Sequence, residues 1–358
     1  MKSAGKKGYN FFLSIKASAN QVGFMLKVAI SGFGRIGKNF LRAAVAGGAL
    51  GKDFDVVAIN TRSNMDMHVH LFKYDSAFGR FKGEVSAKNG NFCVNGYEIK
   101  WIQEADPLKL PWKELEVDLV LESSGEFTSR ADAEKHISAG AKKVLISAPG
   151  DECDATIVMG VNDHTYNKDM KIVSMASCTT NCLAPVLKVI HAKFGVQRGF
   201  LSTIHAYTND QRMLDGSHKD WRRARAGAVS IIPTKTGAAK AIGLVMPELK
   251  GKLDGVSFRV PVPDGSMNDM TLLLEKEADA KELNKELERA SREELKGILG
   301  YTEEQLVSCD IIGTSESAIV DSKLTKAVGN LVKISAWYDN EYGYSCRLVD
   351  FCRKVARS

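Results

Sequence analysis

The sequence predicts an α/β protein: a doubly wound parallel sheet followed by an α+β domain built on a mixed, largely antiparallel sheet. Two observations predict it. The first half alternates short apolar runs with helical patterns, as strands joined by crossover helices do. Beyond residue 178 the apolar runs lengthen and helices become sparser. At 358 residues the chain suits about two domains, each able to bury its own core.

The run from Leu26 to Ile30 reads as a buried strand, followed by Ser31-Gly32-Phe33-Gly34-Arg35-Ile36-Gly37. A helical pattern from Asn39 to Ala46 ends at Gly47-Gly48, and Asp55 to Asn60 forms a second strand. Strand, glycine turn, helix and strand together form the context in which G-x-G-x-x-G binds a dinucleotide. Gly32 permits the tight turn, Gly34 lets a pyrophosphate approach the backbone, and Gly37 lets helix pack on strand. The second strand runs into Asn60-Thr61-Arg62-Ser63. A carboxylate there would hold the ribose hydroxyls of NAD and repel a 2′-phosphate. Thr61 and Arg62 suit that phosphate instead and favour NADP. Further strands are predicted at Asp118–Glu122 and Lys143–Ser147, with a helix from Arg130 to Ala139 between them. Later come strands at Gly199–Thr208, Leu253–Val262, Met270–Glu275 and Lys333–Tyr338, a charged amphipathic helix at Lys281–Leu295, and a last helix at Asn340–Val355.

The junction between the halves carries the chemistry. In Ser177-Cys178-Thr179-Thr180-Asn181 the cysteine falls where a helix begins, facing unpaired backbone N–H groups and the positive end of the helix dipole. Both favour the thiolate. His205, inside a β-rich run, supplies a base, and a cysteine with a distant histidine is the general pattern of an activated sulfur nucleophile.

Composition is that of an ordinary globular protein, with 44% hydrophobic and 26% charged residues. The net charge of +6 fits an anionic substrate or cofactor. The densest basic cluster, Arg222-Arg223-Ala224-Arg225, is too short to argue for nucleic acid, and no apolar run is long enough to span a membrane. Seven scattered cysteines without a C-x-x-C pair suggest neither a metal site nor a disulfide framework, and point to a reducing compartment. Residues 1–25 contain four lysines and no acid. They read as a disordered extension, with Met25 as the effective start. The cytoplasm is the expected compartment, with organellar import through residues 1–25 left open.

These features together resemble the glyceraldehyde-3-phosphate dehydrogenase family, from about residue 26 to the C-terminus. The resemblance rests on Gly-Phe-Gly-Arg-Ile-Gly at 32–37, Lys-Tyr-Asp-Ser at 73–76, Ser-Cys-Thr-Thr-Asn-Cys at 177–182, His-Ala-Tyr-Thr-Asn-Asp-Gln at 205–211, Thr-Gly-Ala-Ala-Lys at 236–240 and Trp-Tyr-Asp-Asn-Glu-Tyr-Gly-Tyr-Ser at 337–345. It implies a Rossmann domain from 26–177 and 340–358 and a catalytic domain from 178–339. It implies a homotetramer that acts on glyceraldehyde 3-phosphate and inorganic phosphate, needing neither membrane nor nucleic acid. Cys178 is then the nucleophile and His205 its base. Thr208, Asp210, Arg223 and Arg259 would hold the substrate's phosphate, and Ser177, Thr179, Thr236 and Gly237 the attacking one. Arg35, Ile36, Ser124, Ser147 and Asn340 would line the cofactor, with Asn340 on the nicotinamide carboxamide. Thr61 stands where NAD-using members carry Asp. Gly216-Ser217 stand where they often carry Leu-Pro, in a loop reaching a neighbouring subunit's cofactor. Both departures favour NADP, alone or with NAD. Ser31 and Lys235 also depart from the family pattern, without a physical account. Rival readings are erythrose-4-phosphate dehydrogenase, a nucleic-acid-binding protein and a catalytically silent paralogue.

Overall fold

The protein is described here by a computed structural model covering residues 25–358. Apart from Met25, the predicted N-terminal extension lies outside the described residues. Among these, no helix is long and apolar enough to cross a membrane.

The first sheet has nine strands. Seven run parallel, in the spatial order Ala155–Thr156, Ile172–Ser174, Lys143–Ile146, Leu119–Glu122, Leu26–Ser31, Phe54–Asn60 and Tyr97–Ile102. Two antiparallel strands, Asn91–Val94 and Val85–Lys88, close one edge. Chain order reverses at Leu26–Ser31, whose neighbours are the second strand on one side and Leu119–Glu122 on the other. Such a reversal opens a crevice at the strands' carboxyl ends. The predicted helix begins earlier than its apolar pattern suggested, at Arg35, and runs to Ala46. The C-terminal helix Tyr342–Ala356 returns to this half, placing Leu348, Phe351 and Val355 in one apolar cluster with Phe40 and Leu41.

The second sheet is mixed, as the longer apolar runs implied. Its order is Ile232–Lys235, Leu253–Val260, Val196–Ala206, Ser266–Leu274, Leu331–Tyr338, Ala318–Asp321 and Leu299–Thr302, with Lys326–Val328 also pairing to Leu331–Tyr338. Alternate residues of Ser266–Leu274 are buried, so one face carries the core. Three helices contribute to that core: Cys178–Phe194 through Leu183 and Leu187, Ala238–Val245 through Ile242, and Ala280–Arg292 through Leu283 and Leu287. Sequence reading missed the helix Met65–Lys73 and the edge strands at 85–102. Their apolar residues are too few and too interrupted to show a period. The predicted Asn340 helix start moves to Tyr342, because Asp339 Oδ1 accepts from the Glu341 and Tyr342 amides and holds Asn340 outside the helix.

The glycine turn shows why two of its residues differ. Gly32 has φ of +91°, and a Cβ there would lie 2.3 Å from the Ser124 amide nitrogen. Gly34 has open space where a Cβ would go. Gly32→Ala is therefore expected to lower stability by about 2–4 kcal/mol, read from urea unfolding. Gly34→Ala should leave stability nearly unchanged while weakening dinucleotide binding in a titration. Equal losses of stability would contradict this division.

Candidate active site

Both halves meet at the N-terminus of the helix Cys178–Phe194. Ser177 caps it, its Oγ accepting the Thr180 amide at 3.1 Å. The turn from the strand Ile172–Ser174 is held by three contacts. Ser174 Oγ accepts the Ala176 amide at 3.0 Å, Asn181 Nδ2 donates to the Met175 carbonyl at 2.8 Å, and the Tyr344 hydroxyl donates to the Ala176 carbonyl at 3.1 Å. Ala176 takes φ of +54°, an uncommon conformation for a side-chain-bearing residue that these contacts over-determine. The result aims Cys178 Sγ at His205 Nε2, 3.5 Å away.

Burial pushes the Cys178 thiol up to about 11, against the pull of the Arg259 charge and the Thr179 amide. Burial and then the same Arg259 charge draw the His205 imidazole down to about 3. Burial opposes the charged thiolate, while the Arg259 charge and the Thr179 amide at the helix start favour it, and His205 stands within reach of its proton. Tyr338 stands edge-on to the imidazole, with ring centroids 5.9 Å apart, and its hydroxyl meets Thr179 Oγ1 at 3.0 Å.

A cleft of about 1130 Å³ opens over this pair. Arg35, Ile36, Ser124, Ser147 and Asn340 line it, together with Ser177, Thr179, Thr208, Asp210, Arg223, Thr236, Gly237 and Arg259. Asp210 bonds Arg223 Nη1 and His218 Nε2. Arg223 Nε also donates to Thr234 Oγ1 at 2.8 Å. A carboxylate repels phosphate, so this placement gives Asp210 the work of orienting Arg223. The Asn340 amide is fixed by Ser266, whose hydroxyl donates to Asn340 Oδ1 at 2.6 Å. That leaves the amide NH₂ for the cleft.

The adenosine-side residues are arranged differently. Asn60 spends its amide on the Glu104 backbone, donating to the carbonyl and accepting from the N–H, each at 3.0 Å. Arg62 pairs with Glu126, and both side chains are more than half exposed. Thr61 and Arg62 lie outside the main cleft, as do Gly216 and Ser217. The Gly216 amide donates to the Ala224 carbonyl at 2.9 Å, and the Ser217 carbonyl accepts from Arg212.

The residues at the turn fit a dinucleotide. The helix Arg35–Ala46 has no side-chain cap, its N-terminus faces the crevice, and the space over Gly34 admits a phosphate. Ser124 and Ser147 are held at the strand ends by Glu122. Its buried carboxylate accepts the Ser124 amide at 2.7 Å, and its carbonyl accepts the Ser147 hydroxyl at 2.9 Å. Sequence reading missed Ser266, Tyr338 and Glu122. Tyr338 lay within a quoted run, but nothing local marked Ser266 or Glu122.

A dinucleotide crevice that ends at a thiol and an imidazole defines the class, a nicotinamide-dependent oxidoreductase. The comparisons agree. Residues 26–130 match the family model "Glyceraldehyde 3-phosphate dehydrogenase, NAD binding domain", and residues 177–340 match "Glyceraldehyde 3-phosphate dehydrogenase, C-terminal domain". The glyceraldehyde-3-phosphate dehydrogenase of Geobacillus stearothermophilus is 54% identical over 333 residues, covering 92% of this chain and 98% of its own. Glyceraldehyde-3-phosphate dehydrogenase 2 of Trichormus variabilis is 53% identical over 335 residues, 93% of this chain and 99% of its own. The chain belongs to the glyceraldehyde-3-phosphate dehydrogenase family.

One buried acid beneath Asn340 carries a pH dependence. Asp264 Oδ1 accepts the Gly265 and Asn340 amides, while Oδ2 is buried without a donor. Burial, then the charges of Asp339 and Glu341, hold Asp264 well above the ordinary carboxylate range. The folded protein therefore keeps a proton that the unfolded chain releases, and stability falls as pH rises from the ordinary range toward the raised one. Asp264→Asn is expected to flatten this decline, which is at most about 1.4 kcal/mol per pH unit. Urea unfolding of both proteins between about pH 5 and pH 8 reads it; parallel slopes would contradict it.

Proposed function

We propose that the protein oxidises glyceraldehyde 3-phosphate, with inorganic phosphate, to 1,3-bisphosphoglycerate, and catalyses the reverse. The observation that carries this reading is the 3.5 Å approach of Cys178 Sγ to His205 Nε2 in a cleft lined by Arg223 and Arg259. Residues 26–177 with 340–358 form the cofactor domain in this reading, and residues 178–339 the catalytic domain.

His205 takes the thiol proton as sulfur adds to the aldehyde carbon and passes it to the new alkoxide, giving a thiohemiacetal and a neutral imidazole. Gly32, Gly34, Gly37, Arg35 and Ile36 hold the cofactor's phosphate end, Ser124 and Ser147 its middle, and Asn340 its nicotinamide. When bound, the cofactor supplies the hydride acceptor. His205 Nε2 is placed to take the hydroxyl proton as the carbon is oxidised to a thioester. The Cys178 amide, the first of the helix, donates to the developing oxyanion. Inorganic phosphate then displaces sulfur, so the thioester's energy is kept in an acyl phosphate. Arg259, with Thr208 and an Arg223 oriented by Asp210, holds the substrate's phosphate. Ser177, Thr179, Thr236 and Gly237 hold the attacking phosphate.

NADP, alone or with NAD, is the cofactor of this proposal. Thr61 supplies no carboxylate, and Arg62 offers a fork to a 2′-phosphate once it exchanges Glu126 for it. A neighbouring subunit in a homotetramer would bring Gly216 and Ser217 to the same group. Turnover should depend on phosphate and be faster with NADP than with NAD. Thr61→Asp should lower kcat/KM for NADP by about tenfold or more while sparing NAD. Phosphate-independent turnover would overturn the reaction. An unchanged NADP preference in the variant would overturn the role of Thr61.

A further inference from the structure

An ion pair crosses the adenosine end of the crevice from one wall to the other. The strand Leu26–Ser31 lies between two parallel neighbours, Phe54–Asn60 and Leu119–Glu122, so the loops that follow all three leave from the same edge of the sheet. Arg62 stands just beyond the end of one neighbour and Glu126 just beyond the end of the other. The glycine turn between them touches both walls. The Gly32 amide donates to the Asn60 carbonyl at 2.8 Å, and a Cβ on Gly32 would meet the Ser124 amide nitrogen. Above this turn Arg62 Nη2 donates to Glu126 Oε1.

The two backbones are fixed and the two heads are free to swing. On the Arg62 side, the Thr61 amide donates to the Ile102 carbonyl at 3.1 Å, and Gln103 Nε2 donates to the Ser63 carbonyl at 2.9 Å. On the other side, the Glu126 amide donates to Ser124 Oγ at 3.1 Å, and the Ser124 hydroxyl donates to the buried Glu122 carboxylate. The paired side chains are 60% and 53% exposed, and so exposed a pair opens at little cost. Closed, the pair sums to zero charge. A 2′-phosphate adds about two negative charges. When Arg62 turns to it, the anchored loop leaves the Glu126 carboxylate nearby without its cation, like charge beside like charge. NAD brings no anion to this place, and the pair can stay closed over it.

We propose that Glu126 is a specificity-determining residue: it competes with the 2′-phosphate of NADP for Arg62, and so holds the preference for NADP down and keeps NAD in use. The proposal rests on the reading of Arg62 as the cation for that phosphate. Thr61 leaves the second strand's wall without a carboxylate, and Glu126 returns one from the opposite wall, onto the same guanidinium. Cofactor choice is a difference between two affinities. Arg62 raises one of them, and Glu126 takes part of that gain back.

The test is titration calorimetry on the full chain freed of nucleotide, with NADP and NAD as the probes and their ratio of dissociation constants as the readout. Glu126→Gln is expected to tighten NADP about threefold to tenfold relative to NAD. Glu126→Asp keeps the charge and should hold the ratio nearer that of the unaltered protein. Arg62→Gln should weaken NADP about fivefold or more relative to NAD. If Arg62→Gln does so while Glu126→Gln leaves the ratio unchanged, the phosphate reading of Arg62 stands and the competition by Glu126 falls. If Glu126→Gln tightens both cofactors equally, the competition falls as well. If Arg62→Gln leaves the ratio unchanged, the phosphate reading falls, and Glu126 has nothing to compete for.

Discussion

The turn between Ser174 and the capped start of the helix at Cys178 is the constraint on which the rest depends. It ends the last inner strand of the parallel sheet and begins the central helix of the second half. Cys178 consequently packs against the apolar clusters of both halves. The turn needs a side-chain-bearing residue, Ala176, at positive φ, a conformation that costs on the order of 1 kcal/mol. Ser174, Asn181 and Tyr344 offset it with hydrogen bonds drawn from three different elements. Because those anchors belong to both halves, the sulfur's position relative to the cofactor crevice and to His205 is set by the cores themselves. A small shift of one half against the other would lengthen the approach to Nε2, on which proton transfer depends.

Charge in the cleft follows a simple division. Arg35 is held by Asp75 and Glu341, and Arg223 by Asp210, so both are oriented and neutralised by acids the chain provides. Arg259 is not. Its charge is available to an incoming anion and, after burial, is the next influence that draws the adjacent imidazole down. Beneath Asn340 the sign is reversed. Asp264 and Asp339 cannot both ionise in so dry a site, and Asp339, with three backbone donors, is the better placed to carry the charge.

Much of this was legible in the sequence where local chemistry decides the outcome. Gly32 announces a turn that only glycine tolerates, Ser177 announces a cap, and the apolar spacing after Cys178 announces a helix. His205 stood in an evident strand, although its partner on the next strand did not show. What stayed hidden depends on distant pairings. That Glu122 anchors Ser124 and Ser147, that Ser266 orients Asn340, and that Glu126 meets Arg62 follow from sheet order, which no local pattern encodes. The burial around the thiol stayed hidden for a related reason. Helix position is visible in the sequence, but the depth of burial that opposes it is set by packing between the halves.

The most direct test of the account traps the sulfur adduct. Protein, cofactor and glyceraldehyde 3-phosphate are mixed without inorganic phosphate, and the products are read by absorbance and peptide mass. The account predicts one equivalent of reduced cofactor per subunit, a glyceroyl 3-phosphate mass on the peptide that contains Cys178, and loss of that mass when phosphate is added. Continued turnover without phosphate, or an unmodified Cys178 peptide after a full equivalent of oxidation, would contradict it.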